Sequence, residues 1–506
     1  MSSDESSLVR YGIDDKPPIG TSIFLGIQHY LTMVGANIAV PLILAGALGM
    51  PEELWPRFIG TFFVVSGVAT LAQTTFGNRY PIVQGAPFSL LAPALAVIGV
   101  VQATNPAGEA WQAALLQLQG AIIVAAFVQV AIGYFGLVGR LKRFLSPVVI
   151  APTIALIGLS LFNAPDVVSP DQDWALVGLT LGLIALFSQY IKTNRLFKLF
   201  PILLGIVAAY LVALGLSVSG VYAPADPGFV DLSDAAEASL ILPITPFQWG
   251  MPAVTAAFVI GILAGVAASI VESLGDYYAV ARLSGAAAPS AKRIDHGIGM
   301  EGLMNVFSGV MGTGGSTSYS ENIGAIGLTG VASRYVVQLG AVVMLIAGFI
   351  GYWGALVASI PSPIIGGLYI AMFGQIVAVG LANLKFVDLE SQRNLFVLGI
   401  SLFAGLAVPT YMDNVGDVET LAAGLREVAL FGPVLGTDAV ATTIFVIGST
   451  GMAVGGLLAL FFDNTIPGTR KERGLVEWEA AEEGDEEFIS AYDRYVRKVD
   501  DPSNAD

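Results

Sequence analysis

Three carboxylates interrupt sequence that is otherwise apolar. Glu272 and Asp276 lie in AASIVESLGDYYAVARL, and Glu321 lies in GGSTSYSENIGAIGLTGVASR, residues 314–334. A charged residue inside a membrane span costs about 2.5–3.5 kcal/mol on insertion scales, so such residues mark substrate or ion pathways. Glu272 and Asp276 are four residues apart and share one helix face. That spacing suits one acid holding a ligand and one carrying a coupling proton or sodium. The plainer reading of Asp276 is a solvated residue near the span end, beside Tyr277 and Arg282. Glu321 can accept hydrogen bonds from ring N–H groups, while backbone N–H groups at an adjoining helix start can bind a carbonyl oxygen. With Glu272, this fits a planar, neutral or weakly acidic heterocycle. The plainer reading is that Ser320 and Glu321 cap a helix.

Other residues belong to the same chemistry. Phe88 follows Gly85-Ala86-Pro87, and a ring at a broken segment can stack on a planar ligand. Gln28-His29 is a polar pair within an apolar run, where His29 could orient a carboxylate. Asn37, Glu301 and Asn305 read as polar glue between helices, and His296 as a loop residue without a specific task.

The elements that must position these groups are membrane helices. The chain has 506 residues, 55% hydrophobic and 12% charged, half the roughly 25% charge of soluble proteins. Its mean hydropathy is +0.74. The absence of cysteine excludes disulfides and thiolate metal sites, and two histidines are too few for a His-rich site. The first twenty residues lack a basic region followed by a short apolar run, so no cleavable signal peptide is expected. The net charge of −16 gathers in loops and tails, notably EWEAAEEGDEEF at 477–488. It suits a high-salt host or, more plainly, a solvated acidic tail.

Apolar runs of about the length needed to cross a bilayer fall near 21–46, 57–77, 84–102, 113–137, 145–163, 173–191, 197–218, 253–280, 298–313, 322–333, 335–358, 363–383, 394–411 and 439–462. Fourteen spans with both ends inside put Arg79, Arg140, Lys142, Arg143, Lys192, Arg195, Lys198, Arg282, Lys292, Arg293, Arg334, Lys385 and Arg393 on the inner side. Only Arg57 and Arg426 remain outside, as the positive-inside rule asks. The third and tenth spans are broken by glycine and proline or by polar sequence. They occupy the same place in two seven-span halves, the sequence mark of an inverted-repeat transporter with its binding site at the breaks. No nucleophile–base or metal constellation points to an enzyme.

Together these residues resemble the nucleobase–ascorbate transporter family, also called nucleobase:cation symporter-2, of the uracil and xanthine permease type. Ser320-Glu321-Asn322-Ile323-Gly324 through Thr329-Gly330 resembles its signature, Glu272-Ser273-Leu274-Gly275-Asp276 its eighth-span motif, and Gln28-His29 its first-span motif. The match runs from 20 to 462. The resemblance implies an all-α membrane protein with fourteen spans in a seven-plus-seven inverted repeat. A core domain (21–137 and 253–358) would move against a gate domain (138–218 and 359–462). An N-terminal tail (1–20), an outer loop (219–252) and an acidic tail (463–506) complete the chain. It implies substrate contact by Glu272, Glu321, Phe88, Ser320 and Ala86, and coupling through Glu272 and Asp276. Support would come from Gln28, His29, Asn322, Gly324 and Thr329. The implied activity is import of uracil or a xanthine-like purine with a proton or sodium, by a homodimer joined through its gate domains in the plasma membrane. Neither a cofactor nor nucleic acid enters. Glu321 is the residue of uracil-type members, whereas Thr329-Gly330-Val331-Ala332-Ser333-Arg334 resembles the purine type. Asp276 stands where a uracil-type bacterial relative has His, and a carboxylate could serve sodium. Ascorbate-type members, with Pro in place of Glu321, fit least. The alternative reading is an anion transporter or exchanger on the same fourteen-span architecture.

Overall fold

A backbone surrounded by hydrocarbon must satisfy its own polar groups, and a helix does this within one segment. The computed structural model describes residues 9–105, 108–142, 144–191, 195–476, 488–490, 493–494 and 497. Arg143, Lys192 and all but the last residue of the 477–488 acidic run lie outside them.

The principal helices are α1 (Ile19–Leu48), α2 (Trp55–Thr75), α3 (Leu91–Thr104), α4 (Ala110–Tyr134), α5 (Pro147–Leu159), α6 (Trp174–Ala185), α7 (Pro201–Val218), α8 (Ala256–Leu283), α9 (Ala291–Met311), α10 (Ser320–Thr329), α11 (Arg334–Phe349), α12 (Ser362–Ala382), α13 (Gln392–Val415), α14 (Asp438–Gly448) and α15 (Gly451–Thr465). Among the described residues, seven helical segments are long and apolar enough to cross a membrane: those containing α1, α2, α4, α7, α8, α12 and α13. The pair α14 and α15, bent by 93°, makes an eighth if counted as one span. Segments containing α3, α5, α6 and α11 are apolar but shorter. The run expected at 298–313 is the second half of α9, which begins seven residues earlier, in sequence bearing Lys292, Arg293 and Asp295. Hydropathy truncates such a helix because its first turns are charged.

The helices form two packing groups. In one, α4 lies along α9 and α8, and α11 lies along α1 and α2. In the other, α5 contacts α12 and α15, α13 contacts α15, and α6 contacts α7 and α12. In lipid, helix association depends on close backbone approach rather than on the hydrophobic effect. A Cβ added to Gly340 of α11 would sit 2.4 Å from the Gly26 carbonyl oxygen of α1. One added to Gly133 of α4 would sit 2.2 Å from the Gly299 nitrogen of α9.

The two broken segments meet. Strand β1 (Gln84–Gly85) pairs antiparallel with β2 (Thr317–Ser318), Gln84 opposite Ser318 and Gly85 opposite Thr317. β1 leads through a 3₁₀ turn, Phe88–Leu90, into α3, and β2 leads directly into α10. Gly85 is required because a Cβ there would lie 2.4 Å from the Tyr319 ring. The Tyr319 hydroxyl donates to the Ala86 carbonyl at 2.7 Å, locking the crossing.

Candidate functional site

Four carboxylates gather around this crossing, and they fall into two kinds. Asp276 of α8 is 5% exposed, and each of its oxygens accepts one hydroxyl: Ser318 Oγ donates to its Oδ2 and Ser320 Oγ to its Oδ1, each at 2.6 Å. Glu301 of α9 is fully buried. Its Oε1 accepts from Gln129 Nε2 and Ser269 Oγ, both at 2.9 Å, and its Oε2 accepts from Ser273 Oγ at 2.6 Å. Glu272 and Glu321 are half-buried, and among the described residues neither has a side-chain hydrogen-bond partner. Glu272 is within charge-interaction range of Asp276, Glu321 and Glu301. Two acids are thus occupied by the protein, and two are left open.

The occupied acids belong to one chain of polar contacts. Ser273 meets Ser318 at 2.9 Å, Ser269 meets Thr317 at 2.8 Å, and Asn305 Nδ2 donates to Gln129 Oε1 at 2.9 Å. Asn305 Oδ1 accepts from the Ser316 backbone N–H at 2.6 Å. The network ties α4, α8 and α9 to β2. A half-satisfied buried network is costly, so full pairing holds the crossing rigid. Glu301 and Asn305 therefore join helices, and do so within the acid cluster itself. Ser269, Ser273, Ser318 and Gln129 are not singled out from sequence. The spacing of Ser269, Ser273 and Asp276 on one face of α8 is the signal that could have found the first two.

The remaining expected residues divide between the crossing and its surroundings. Ser320 does not cap α10, whose N-cap is Tyr319 without a side-chain bond; its hydroxyl goes to Asp276 instead. The solvated reading of Asp276 fails for the same reason. Asn322 pins β1 by accepting from Val83 N–H and donating to the Pro81 carbonyl, both at 3.1 Å. Ala86 N–H donates to Asn37 Oδ1 at 3.3 Å, and Ser66 Oγ donates to the same oxygen at 2.9 Å. Thr329 bonds back to the Ala325 carbonyl at the end of α10. Gln28 is half-buried. His29 does not receive the carboxylate partner expected for it: the ring is buried beside the backbone of Val331, with neither nitrogen in hydrogen-bond geometry. His296 lies within α9 rather than in a loop, its ring between those of Tyr134 and Phe488.

Phe88 is 5% exposed and meets the Phe373 ring of α12 edge-on, with centroids 6.1 Å apart. Phe373 in turn stacks on Tyr369 at 5.3 Å. This aromatic stack is where the two packing groups touch beside the crossing. Two clefts approach it. One, of about 550 Å³, is lined by Glu321, Gly324 and Thr32 together with Gln189, Lys198 and Gln375. The other, of about 1170 Å³, runs along Ala92 and Leu95 of α3 to Asp413 and Asp417.

Comparison with known proteins gives the family and the fold. The model of a permease family matches residues 20–414. Solute carrier family 23 member 2 of Rattus norvegicus is 43% identical over 509 residues, covering 92% of this chain and 76% of that protein. Nucleobase-ascorbate transporter 12 of Arabidopsis thaliana is 32% identical over 535 residues, covering 96% and 74%. Among solved structures, the transmembrane domain of a cyanobacterial bicarbonate transporter superposes with a TM-score of 0.54 at 15% identity, covering 77% of this chain and 96% of that one. A murine solute carrier 26 family anion transporter in the inward-facing state gives 0.51 at 14% identity, covering 77% and 66%. At such identities the likeness is one of fold alone. The chain is a multi-pass membrane transporter, not an enzyme, and it belongs to the nucleobase–ascorbate transporter family of permeases.

Proposed function

We propose that the protein imports a nucleobase, uracil or a xanthine-like purine, by symport with a proton or sodium. The carrying observation is the division of the acids. Asp276 and Glu301 are filled by hydroxyl and amide donors, while Glu272 and Glu321 have oxygens left for ring N–H groups. Two open carboxylates favour a neutral N–H donor over an anion. They disfavour both ascorbate, an anion at neutral pH, and the inorganic anions of the alternative reading. Phe88 offers an aromatic ring beside the crossing, and Asp276, one helical turn from Glu272 on α8, is the group proposed to sense the cation.

The proposed architecture is the fourteen-span, seven-plus-seven inverted repeat with both termini cytoplasmic. The first packing group would be the core and the second the gate, with the core carrying the crossing from one cleft to the other. A homodimer through the gate belongs to the same proposal. Uptake of radiolabelled uracil in a nucleobase-transport-deficient host tests it, with xanthine, hypoxanthine, urate and ascorbate as competitors, at two pH values, with and without sodium. Saturable uracil or xanthine uptake that responds to pH or sodium is expected. Ascorbate uptake untouched by nucleobases would overturn the substrate assignment, and chloride or sulfate flux without base uptake would restore the anion reading.

A further inference from the structure

Past the end of α13 the chain makes a closed turn with its apolar side chains outward. A short helix, Val418–Arg426, follows α13 at once, and its Leu421 is buried with Met412 of α13 and Phe445 of α14. α13 is apolar enough to cross a membrane, and only 28% of its apolar stretch is covered by the rest of the protein. Packing against its last turns therefore holds the short helix at the level where α13 leaves the hydrocarbon. The chain then closes on itself before α14. Gly432 is buried, and a Cβ there would lie 2.1 Å from the Arg426 carbonyl oxygen. Its N–H donates to the Val428 carbonyl at 2.7 Å. Arg426 Nε donates to the Gly436 carbonyl at 3.1 Å, and the same guanidinium faces Asp438 at 3.7 Å. The turn is thus held in shape by its own backbone. Yet Leu430 is 94% exposed, Phe431 64% and Val434 63%, with Val428 exposed beside them. Leu430 also has a left-handed backbone (φ 68°), uncommon for a bulky side chain.

Exposed apolar side chains along a crossing helix face lipid. These stand instead on a turn between helices, where water would be a poor solvent for them. A stable protein interface engages roughly 20–30 residues a side, many more than this tip presents. Contact with a membrane surface needs only a small apolar face with polar groups at its edge. We propose that residues 428–434 are an interfacial anchor, an apolar tip that enters the bilayer at the boundary of headgroups and acyl chains, with Arg426 and Asp438 at its polar base. The left-handed leucine fits this role, since an outlying backbone persists where a function holds it. The anchor sets the depth at which α13 and α14 sit in the bilayer, whichever substrate the protein carries.

The chain has no cysteine, so single nitroxide labels can be placed in the full-length protein. Phe431→Cys and Val434→Cys are compared with Glu419→Cys, an exposed position on the short helix, in phosphatidylcholine vesicles. Oxygen, which enters lipid, and a nickel chelate, which stays in water, report the depth of each label. The two tip labels should lie about 5–10 Å below the headgroups, while the Glu419 label should meet the nickel chelate freely. Adding Leu430→Asp should bring the Val434 label out to the level of Glu419. Nickel access at the tip equal to that at Glu419 would place the tip in water and overturn the anchor. Exclusion of both reagents would mean a protein contact, such as a second copy, and would overturn it too. A Val434 label that keeps its depth beside Leu430→Asp would show that the neighbouring helices set the level, and the tip would then anchor nothing.

Discussion

At the scale of single residues, the site is defined by which oxygens are already taken. Ser318 gives its hydroxyl to Asp276 and also meets Ser273, which bonds Glu301. Ser318→Ala should therefore cost about 1–3 kcal/mol, the penalty for a buried polar group losing its partner. A lowered thermal midpoint in detergent would show it. Glu321→Gln should behave in the opposite way. Its carboxylate has no side-chain partner and faces the cleft, so the midpoint should not move. Nucleobase affinity should instead fall about tenfold or more, the worth of a charge-assisted hydrogen bond. A destabilised Glu321→Gln protein with unchanged affinity would reverse the division between open and occupied acids.

Among the elements, tight crossings of α1, α4, α9 and α11 hold the crossing of β1 and β2. Gly340→Leu would force α1 and α11 apart where a Cβ has only 2.4 Å to the Gly26 carbonyl, at an overpacking cost of about 1–3 kcal/mol or more. A lower midpoint and a broadened gel-filtration peak are expected. Gly324→Ala, where a Cβ meets nothing within 4 Å, is the control and should melt like the parent. How far these elements could be read from sequence follows from what periodicity and hydropathy detect. The long apolar helices and the two broken segments were legible, since composition alone marks them. The early start of α9 was not, because Lys292, Arg293 and Asp295 read as a loop while forming its first turns. Glu272, Asp276 and Glu321 stood out as acids in apolar surroundings. The serines that fill Asp276 and Glu301 did not, because a serine in a membrane helix is common and only the fold reveals which one faces an acid. The carboxylate partner expected for His29 is absent for the same reason: the sequence places the ring in α1 but not the neighbour it meets.

For the molecule as a whole, the two chain ends docked on α9 and the loop of Arg79, after α2, introduce a dependence on pH whose sign can be worked out. Lys292 and Ser490 bond Asp493 and hold its carboxyl down at about 2. Burial alone would raise Asp14, but the Arg334 charge and hydrogen bond, with Arg79, bring it below its usual value. A carboxyl whose folded value is depressed stabilises the docked state above its unfolded value, near 4, and loses that contribution as pH falls through the folded value. Docking should therefore be flat across the neutral range and fail only in strong acid, between about pH 4 and 2. A spin label at Arg497→Cys, a side chain two-thirds exposed beside Asp493, would report this as a mobility change. A transition near neutrality would mean that these two carboxylates do not govern docking. Salt should act weakly on the same signal. It screens the Lys292–Asp493 pair only in part, since the lysine is half-exposed but the carboxylate is buried, and it leaves Phe488 and Ile489 buried, so a label freed by moderate salt alone would contradict an aromatic anchor.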